Sequence, residues 1–298
     1  MEHTKRHFQK MFNQNQNVIG LTAIENPYRF SPLIDGLDLL LLVIVHDAGH
    51  VPAIEHVRFG DKHIQIRRVT PITLEHWIKS GENRSAVQWL VRGEVLVDRD
   101  DYLIQLRKKL LSFPEELRGR KQLIEFGSFI RTYLQAKQDL QEGNLLDAYS
   151  GTLTALHHWA HIALIEEGQH PELTVWRQMR RFNPGIYKLY EELTVSPETL
   201  EQRVRLVLLA CEFSVMNKMK SCCQLLFSIL ASREEPWAII ELQEHPLLAD
   251  LHVDLSLLVQ KLVQRGYVHE VAMMQEESAE VLELRYRCEP SKNIAEAR

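Results

Sequence analysis

Asp38–Val45, "DLLLLVIV", constrains the fold of this chain more than any other stretch. One acid is followed by seven unbroken aliphatics. A strand with one wet face alternates polar and apolar residues. A run apolar on both faces is the mark of a central strand covered by helices on each side. The apolar run Leu37–Val45 is interrupted by Asp38 and falls far short of the roughly 20 residues of a membrane span. An acid at the start of a buried strand is also a way to deliver a carboxylate to an active site. Residues two apart share a face of a strand, and the residue two before Asp38 is Gly36.

The flanking sequence reads as a small α/β domain over 1–117. A polar N-terminal helix leads to the strand "NVIGLTAIE". Two β-rich runs around Gly60-Asp61 form a hairpin. Thr70 caps a helix with Pro71 at its first position and Gly81 as its stop. "NRSAVQWLVRG" is a short helix, "EVLVDRDDY" a strand, and "DDYLIQLRKKLLSF" a helix ending near Pro114. Helical periodicity then takes over, giving a bundle domain over 118–234. Two long antiparallel helices meet at Gly143, and the second ends at Gly168. After two shorter helices, one long helix is expected from Ser196 as cap through "SCCQLLFSIL". Residues 235–290 give the outline of a winged helix: the helix "EPWAIIELQEHP", the helix "VDLSLLVQKLVQRGYV" stopped by Gly266, then two strands. The fold class is therefore α+β and multidomain.

A chain of 298 residues is too long for one ordinary core. The N-terminal "MEHTKRHFQKMFNQNQN" has no apolar signal region, which with the lack of a span predicts a cytoplasmic protein with no membrane partner. Cys211, Cys222, Cys223 and Cys288 include no C-x-x-C pair, so neither a zinc knuckle nor a redox motif is signalled. Only the last residues, "SKNIAEAR", read as disordered. Charge is uneven: residues 235–298 carry twelve acidic side chains against six basic ones. That balance disfavours nucleic acid as a partner of the winged unit, whose expected recognition helix offers only Lys261 and Arg265 as cations and carries Asp254.

Polymerase-type nucleotidyl transfer uses two metal ions held by carboxylates. Two of these sit at i and i+2 on one strand, a third comes from a neighbouring strand, and a Gly-Ser turn upstream grips phosphates through backbone amides. The stretches "SPLIDGLDLLLLVIV", "WLVRGEVLVDRDDYLIQL", "TALHHWAHIALIEEGQHPELTVWRQMRRFNPGIYKLYEEL" and "REEPWAIIEL" resemble the nucleotidyltransferase-like family of uncharacterised bacterial proteins. The resemblance covers nearly all of 1–290. It implies a nucleotidyltransferase-like domain, a helical domain and a C-terminal winged helix.

The sequence departs from the general enzyme pattern. Asp38 matches the second carboxylate, and Gly36 replaces the first. Asp35 is one residue out of phase and reaches a metal only if the chain bends at Gly36. The Gly-Ser turn, due near Ile24-Glu25, is absent, and "HIQIRRV" offers Gln65 and Arg67 where the third carboxylate belongs. Asp35 and Asp38 are thus the candidate catalytic and metal-binding residues, with Mg or Mn as cofactor only if the site is active. Asp38 also reads as a strand-start residue held for a cap or a local ion pair. Arg67 would oppose metal and favour phosphate. Arg177, Arg180 and Arg181 form the densest basic cluster, either a solvated face or a holder of an acidic ligand. Asp98, Asp100 and Asp101 read as a strand end and helix start. His46 and His50 have zinc-helix spacing, but Gly49 and Pro52 oppose a helix there. His157, His158 and His161 read as helix packing. The expectation is a pseudoenzyme binding a nucleotide or phosphorylated small molecule. The alternatives are an active nucleotidyltransferase acting on a small molecule or protein, and a winged-helix regulator.

Overall fold

The computed structural model describes residues 1–26, 28, 32–47, 49, 51–80, 84–172, 174–275 and 278–288. The chain divides into two compact units, Met1–Pro114 and Glu115–Arg298.

In the first unit, helix α1 (Glu2–Asn13) precedes β1 (Val18–Glu25), a 3-10 turn at Pro32–Ile34, β2 (Leu39–Val45), β3 (Ile54–Phe59) and β4 (Lys62–Val69). Helices α2 (Pro71–Ser80) and α3 (Arg84–Arg92), strand β5 (Glu94–Asp98) and helix α4 (Tyr102–Ser112) complete it. The sheet order is β3-β4-β2-β1-β5, so the aliphatic run is the central strand. Only the β2–β4 pairing is parallel. All seven residues of β2 are buried. Leu39, Leu41, Val43 and Val45 share a core with Leu21, Ile64, Val97 and the α1 residues Phe8 and Phe12. Leu40, Leu42 and Ile44 alternate with them and face the other way, where they too are buried. Strand periodicity thus explains why the run lacks alternation: both faces are covered.

Local chemistry fixes the connections. Gly60, at φ +64, supplies the left-handed first position of the two-residue turn between β3 and β4. Thr70 Oγ1 accepts the Thr73 N–H at 3.2 Å, capping α2. Its expected stop, Gly81, lies outside the described residues, as does "SKNIAEAR". At Gly93 a side chain would place its Cβ 2.2 Å from Thr22 Cγ2, so glycine lets the end of α3 close onto β1. Lys5 is buried and ion-paired to Glu2, Glu25 and Glu94, tying α1 to the β1–β5 edge.

The second unit opens with α5 (Glu115–Gln141) and α6 (Leu145–Glu166), joined through Gly143 as the sequence predicts. Then come α7 (Val175–Phe182), α8 (Pro184–Val195), α9 (Leu200–Met216), α10 (Met219–Cys222) and α11 (Gln224–Leu230). The single long helix expected from Ser196 is therefore three helices. Ser196 is extended, at ψ 147, and ends α8. The start of α9 belongs to Thr199 and Gln202, which satisfy each other's backbone N–H groups at 3.3 and 3.0 Å. That reciprocal capping box closes two orphan donors at once, and it displaces Ser196. Met219, Cys222, Cys223, Leu226 and Ile229 are all buried beyond the break, and all four cysteines are free.

Strand β6 (Trp237–Ala238), α12 (Ile239–Gln243), α13 (Leu255–Gln264), β7 (His269–Gln275) and β8 (Ser278–Arg287) are the last elements among the described residues. "EPWAIIELQEHP" is thus not one helix. Trp237 and Ala238 pair with Tyr286 and Arg285, so the wing is a three-stranded sheet, β6-β8-β7. Leu255, Leu258, Val259 and Leu262 of α13 join the same buried cluster as Phe126 and Phe129 of α5. None of the described helices is long and apolar enough to cross a membrane.

Candidate functional site

Asp38 stands immediately before β2, and its backbone already pairs with the neighbouring strands. Its N–H donates to His63 O at 2.9 Å, and its carbonyl accepts from Asn26 N at 3.1 Å. The carboxylate turns sideways: Oδ2 accepts the His63 backbone N–H at 2.8 Å and lies 3.7 Å from His63 Nδ1. One carboxylate oxygen is therefore occupied in holding the start of β4 against β2. This is the cap and local-pair arrangement.

The chain does bend at the preceding residues. Asp35 has φ +53 and Gly36 φ +77, both left-handed. Aspartate tolerates that region better than most side chains, because its short polar group bonds locally. The bend means that Asp35 belongs to an exposed turn and not to a strand face. The turn before it is pinned from below: Trp89 Nε1, on α3, donates to Leu33 O at 2.7 Å in a buried bond.

Register places the rest of the site. Leu40 is opposite Gln65 and Leu42 is opposite Arg67 in the parallel β2–β4 pair, and paired residues share a face. On the face where Asp38 begins, the neighbouring strand therefore presents an amide and a guanidinium. Gln65 is buried and meets His56 Nε2 at 3.1 Å. The Arg67 guanidinium sits 5.2 Å from the Trp89 ring and 5.7 Å from the Trp77 ring. Burial pulls its pKa down, and the negative charge of Asp35 works the other way. Among the described residues its buried Nε has no hydrogen-bond acceptor. A cation stacked on two indoles and short of one acceptor is suited to a phosphate or carboxylate oxygen.

The phosphate-gripping turn due at Ile24-Glu25 is replaced by the end of β1, where Ile24 and Glu25 pair with Leu40 and Leu39. A strand held in this register does not offer a nest of convergent amides. Glu25 is ion-paired to Lys5 at 2.5 Å. Among the described residues, no group of three or more His, Cys, Asp or Glu side chains is placed to hold a metal ion.

Asp38 thus begins a sheet face on which Arg67 stands four residues beyond His63 along β4, and Asp35 lies on the exposed turn before that face. Arg177, Arg180 and Arg181 lie on α7 in the second unit, all exposed, with Arg180 against Tyr187 and Arg181 against Phe182. Asp98 caps α4, accepting Leu103 N at 2.8 Å and Ile104 N at 3.0 Å. His50, half of the zinc-like pair with His46, lies outside the described residues.

The second unit holds a charged cluster that the sequence reading saw only from one side. His158 and His161 of α6 each meet Glu125 of α5, at 2.6 and 2.9 Å. Burial alone would raise the Glu125 pKa. The two histidine contacts outweigh it and hold the carboxyl well below the usual range. Burial pushes Lys121, one turn earlier, down to about 8 against the pull of Glu125. The His157 ring lies 4.5 Å from that of His161 and packs edge-on to Trp176, which stacks on Tyr190. Glu125 and Lys121 are 33 or more residues from their histidine neighbours, so no local motif marks them. The one signal in the sequence is two residues of opposite charge, four apart, on α5.

Comparison with known proteins follows the same divisions. Residues 1–118 match the family model described as nucleotidyltransferase-like. Residues 119–218 match that of a YgxA-like substrate binding domain, and residues 224–288 that of a helix-turn-helix domain. The uncharacterized protein YgxA of Bacillus subtilis (strain 168) is 35% identical over 269 residues, covering 90% of this chain and 91% of that protein. The crystal structure of a nucleotidyltransferase-like protein from Exiguobacterium sibiricum 255-15 is similar with a TM-score of 0.81 and 33% identity, covering 97% of this chain and 99% of that one.

Proposed function

The chain belongs to the nucleotidyltransferase-like family that includes YgxA, and from that premise we propose a cytoplasmic protein that binds a nucleotide or another phosphorylated small molecule without standard nucleotidyl transfer. The observation that carries this reading is the presence of Arg67, not a carboxylate, on the strand beside β2, on the face that Asp38 begins. The one carboxylate that matches the enzyme pattern is engaged with the His63 backbone, and a guanidinium occupies the strand where a further carboxylate belongs. Two divalent ions need several anionic oxygens close together. A lone aspartate on a face shared with an arginine supplies too little negative charge for them, but the arginine supplies charge and donors for a phosphate. Asp35, on its bent turn, is the only other acid of the pattern, and its charge already acts on Arg67.

The test is calorimetry of the full chain with ATP, GTP and CTP, with and without Mg²⁺ or Mn²⁺, alongside an assay for pyrophosphate. The expected result is binding that does not require metal, weakened about tenfold by Arg67→Gln, with no pyrophosphate released. Metal-dependent pyrophosphate release that Asp38→Ala abolishes would overturn the proposal and make the protein an active transferase using Asp35 and Asp38.

A second reading, regulation through residues 224–288, is favoured by the helix-turn-helix match. Charge works against nucleic acid as the partner. Asp254 at the start of α13 is paired with Arg131 at 2.8 Å, and the wing exposes Met274, Leu282 and Leu284. Absence of any gel shift at low salt, where non-specific binding is strongest, would remove this reading.

A further inference from the structure

The second unit contains a polar cavity remote in sequence from the Asp38–Arg67 face. It has a volume of about 180 Å³ and is walled by three helices. Helix α5 supplies Ile130, Tyr133, Leu134 and Lys137, α9 supplies Glu212 and Met216, and the end of α13 supplies Lys261, Gln264 and Arg265. Its chemistry is divided. Ile130, Leu134 and Met216 give an apolar wall. Three cations, one carboxylate and a phenol line the rest.

The polar groups are already ordered. Tyr133 Oη donates to Glu212 Oε2 at 2.6 Å, and Lys137 Nζ meets the same oxygen at 3.0 Å. Those bonds, the Tyr133 bond first, lower the Glu212 pKa and keep it ionised at neutral pH. Lys261 Nζ donates to Gln264 Oε1 at 3.0 Å. The charge of Arg265 acts on both Tyr133 and Glu212. One carboxylate against three cations leaves an excess of two positive charges around an open cavity, and those charges belong to two different parts of the chain. A ligand carrying two negative charges would complete the balance. It would also bridge α5 and α9 to α13, the helix before the wing.

We infer that this cavity is an effector site for a small phosphate monoester with an apolar substituent, and that its occupation fastens α13 to the helical bundle. The phosphate is held by Lys137, Lys261 and Arg265, and the substituent lies against Ile130, Leu134 and Met216. The cavity has room for about one aromatic ring plus the phosphate. The site is separate from the proposed nucleotide site and does not depend on it.

Titration of the full chain with phenyl phosphate tests the inference, with amide hydrogen exchange read over residues 255–265. Saturable binding is expected, together with slower exchange of the α13 amides on saturation. Lys261→Gln and Arg265→Gln, both on accessible side chains, should each weaken binding about tenfold while leaving the circular dichroism spectrum unchanged. Arg67→Gln should leave the affinity unchanged, which separates this site from the one on the first unit. Failure to bind at millimolar phenyl phosphate would overturn the inference. So would binding that neither α13 variant weakens, or saturation with no change in α13 exchange.

Discussion

At the scale of single residues, two carboxylates with similar surroundings on paper have different roles. Asp38 is partly exposed and accepts a backbone N–H from His63. Replacing it with alanine removes one charge-assisted hydrogen bond, so the expected loss is about 1–2 kcal/mol in a urea titration. The same loss for Asp38→Ala with and without added Mg²⁺ is the outcome consistent with a structural role. Glu125 is enclosed and bound by two histidines. Removing its charge by Glu125→Gln leaves buried donors imperfectly matched and should cost about 2–3 kcal/mol at pH 7. Its folded pKa is below the unfolded value. The stabilisation is therefore complete above the unfolded pKa of about 4.3 and is lost as pH falls through the folded value. Parallel urea titrations of the native protein and Glu125→Gln between pH 3 and 7 should show the gap constant above about pH 5 and shrinking below about pH 4. A gap that stays constant down to pH 3 would mean that the ionised carboxylate is not what holds α5 to α6.

At the scale of elements, the start of α9 offers a clean measurement. Thr199 and Gln202 cap each other, so Thr199→Ala should destabilise by about 1 kcal/mol, whereas Ser196→Ala, which removes a hydroxyl that accepts the Glu198 N–H at 3.5 Å, should change the melting temperature little. Elements whose signal is local were legible from sequence. The Gly60-Asp61 hairpin, the Thr70-Pro71 start of α2 and the Gly143 turn each follow from backbone preferences of two or three adjacent residues. Elements that depend on a distant partner were not legible. Trp237-Ala238 looks helical in its own neighbourhood and becomes a strand because Arg285 and Tyr286 pair with it. The break at 217–218 contains neither glycine nor proline, and the apolar period continues through it. Lys218 in the break pairs with Glu166 of α6, a partner no window of sequence contains. The candidate site divides in the same way. Asp38 and Arg67 could be placed on one face from sequence because strand periodicity assigns faces, whereas Asp35 lies on a left-handed turn that periodicity does not describe. The indoles of Trp77 and Trp89 that flank Arg67 come from helices whose placement on the sheet is a tertiary fact.

At the scale of the whole molecule, the arrangement of cores predicts which pieces of the chain are self-sufficient. The sheet and α1 share a core built from residues of the first unit alone. In the second unit, Trp237, Leu255, Leu258, Val259, Leu262 and Tyr286 belong to the same buried cluster as Leu123, Phe126 and Phe129 of α5. Val253 comes so close to α5 that a Cβ on Gly127 would lie 2.9 Å from Val253 Cγ1. Fully burying one such side chain is worth about 1.5–3 kcal/mol, and a folded domain is stable by only about 5–15 kcal/mol. Deleting the six loses their own burial and uncovers their cluster partners on α5, Leu123, Phe126 and Phe129, which removes most or all of that margin. A fragment spanning 115–298 should therefore unfold in one cooperative thermal transition, and a fragment spanning 115–234 should not, although it keeps α5 to α11 intact in sequence. Far-ultraviolet circular dichroism during heating distinguishes the two. If the 115–234 fragment melts cooperatively at the temperature of the longer one, the winged segment is an appendage and not part of the core. In that event a ligand acting on α13 would have no mechanical route into the bundle, because the route runs through the shared core that the shorter fragment lacks.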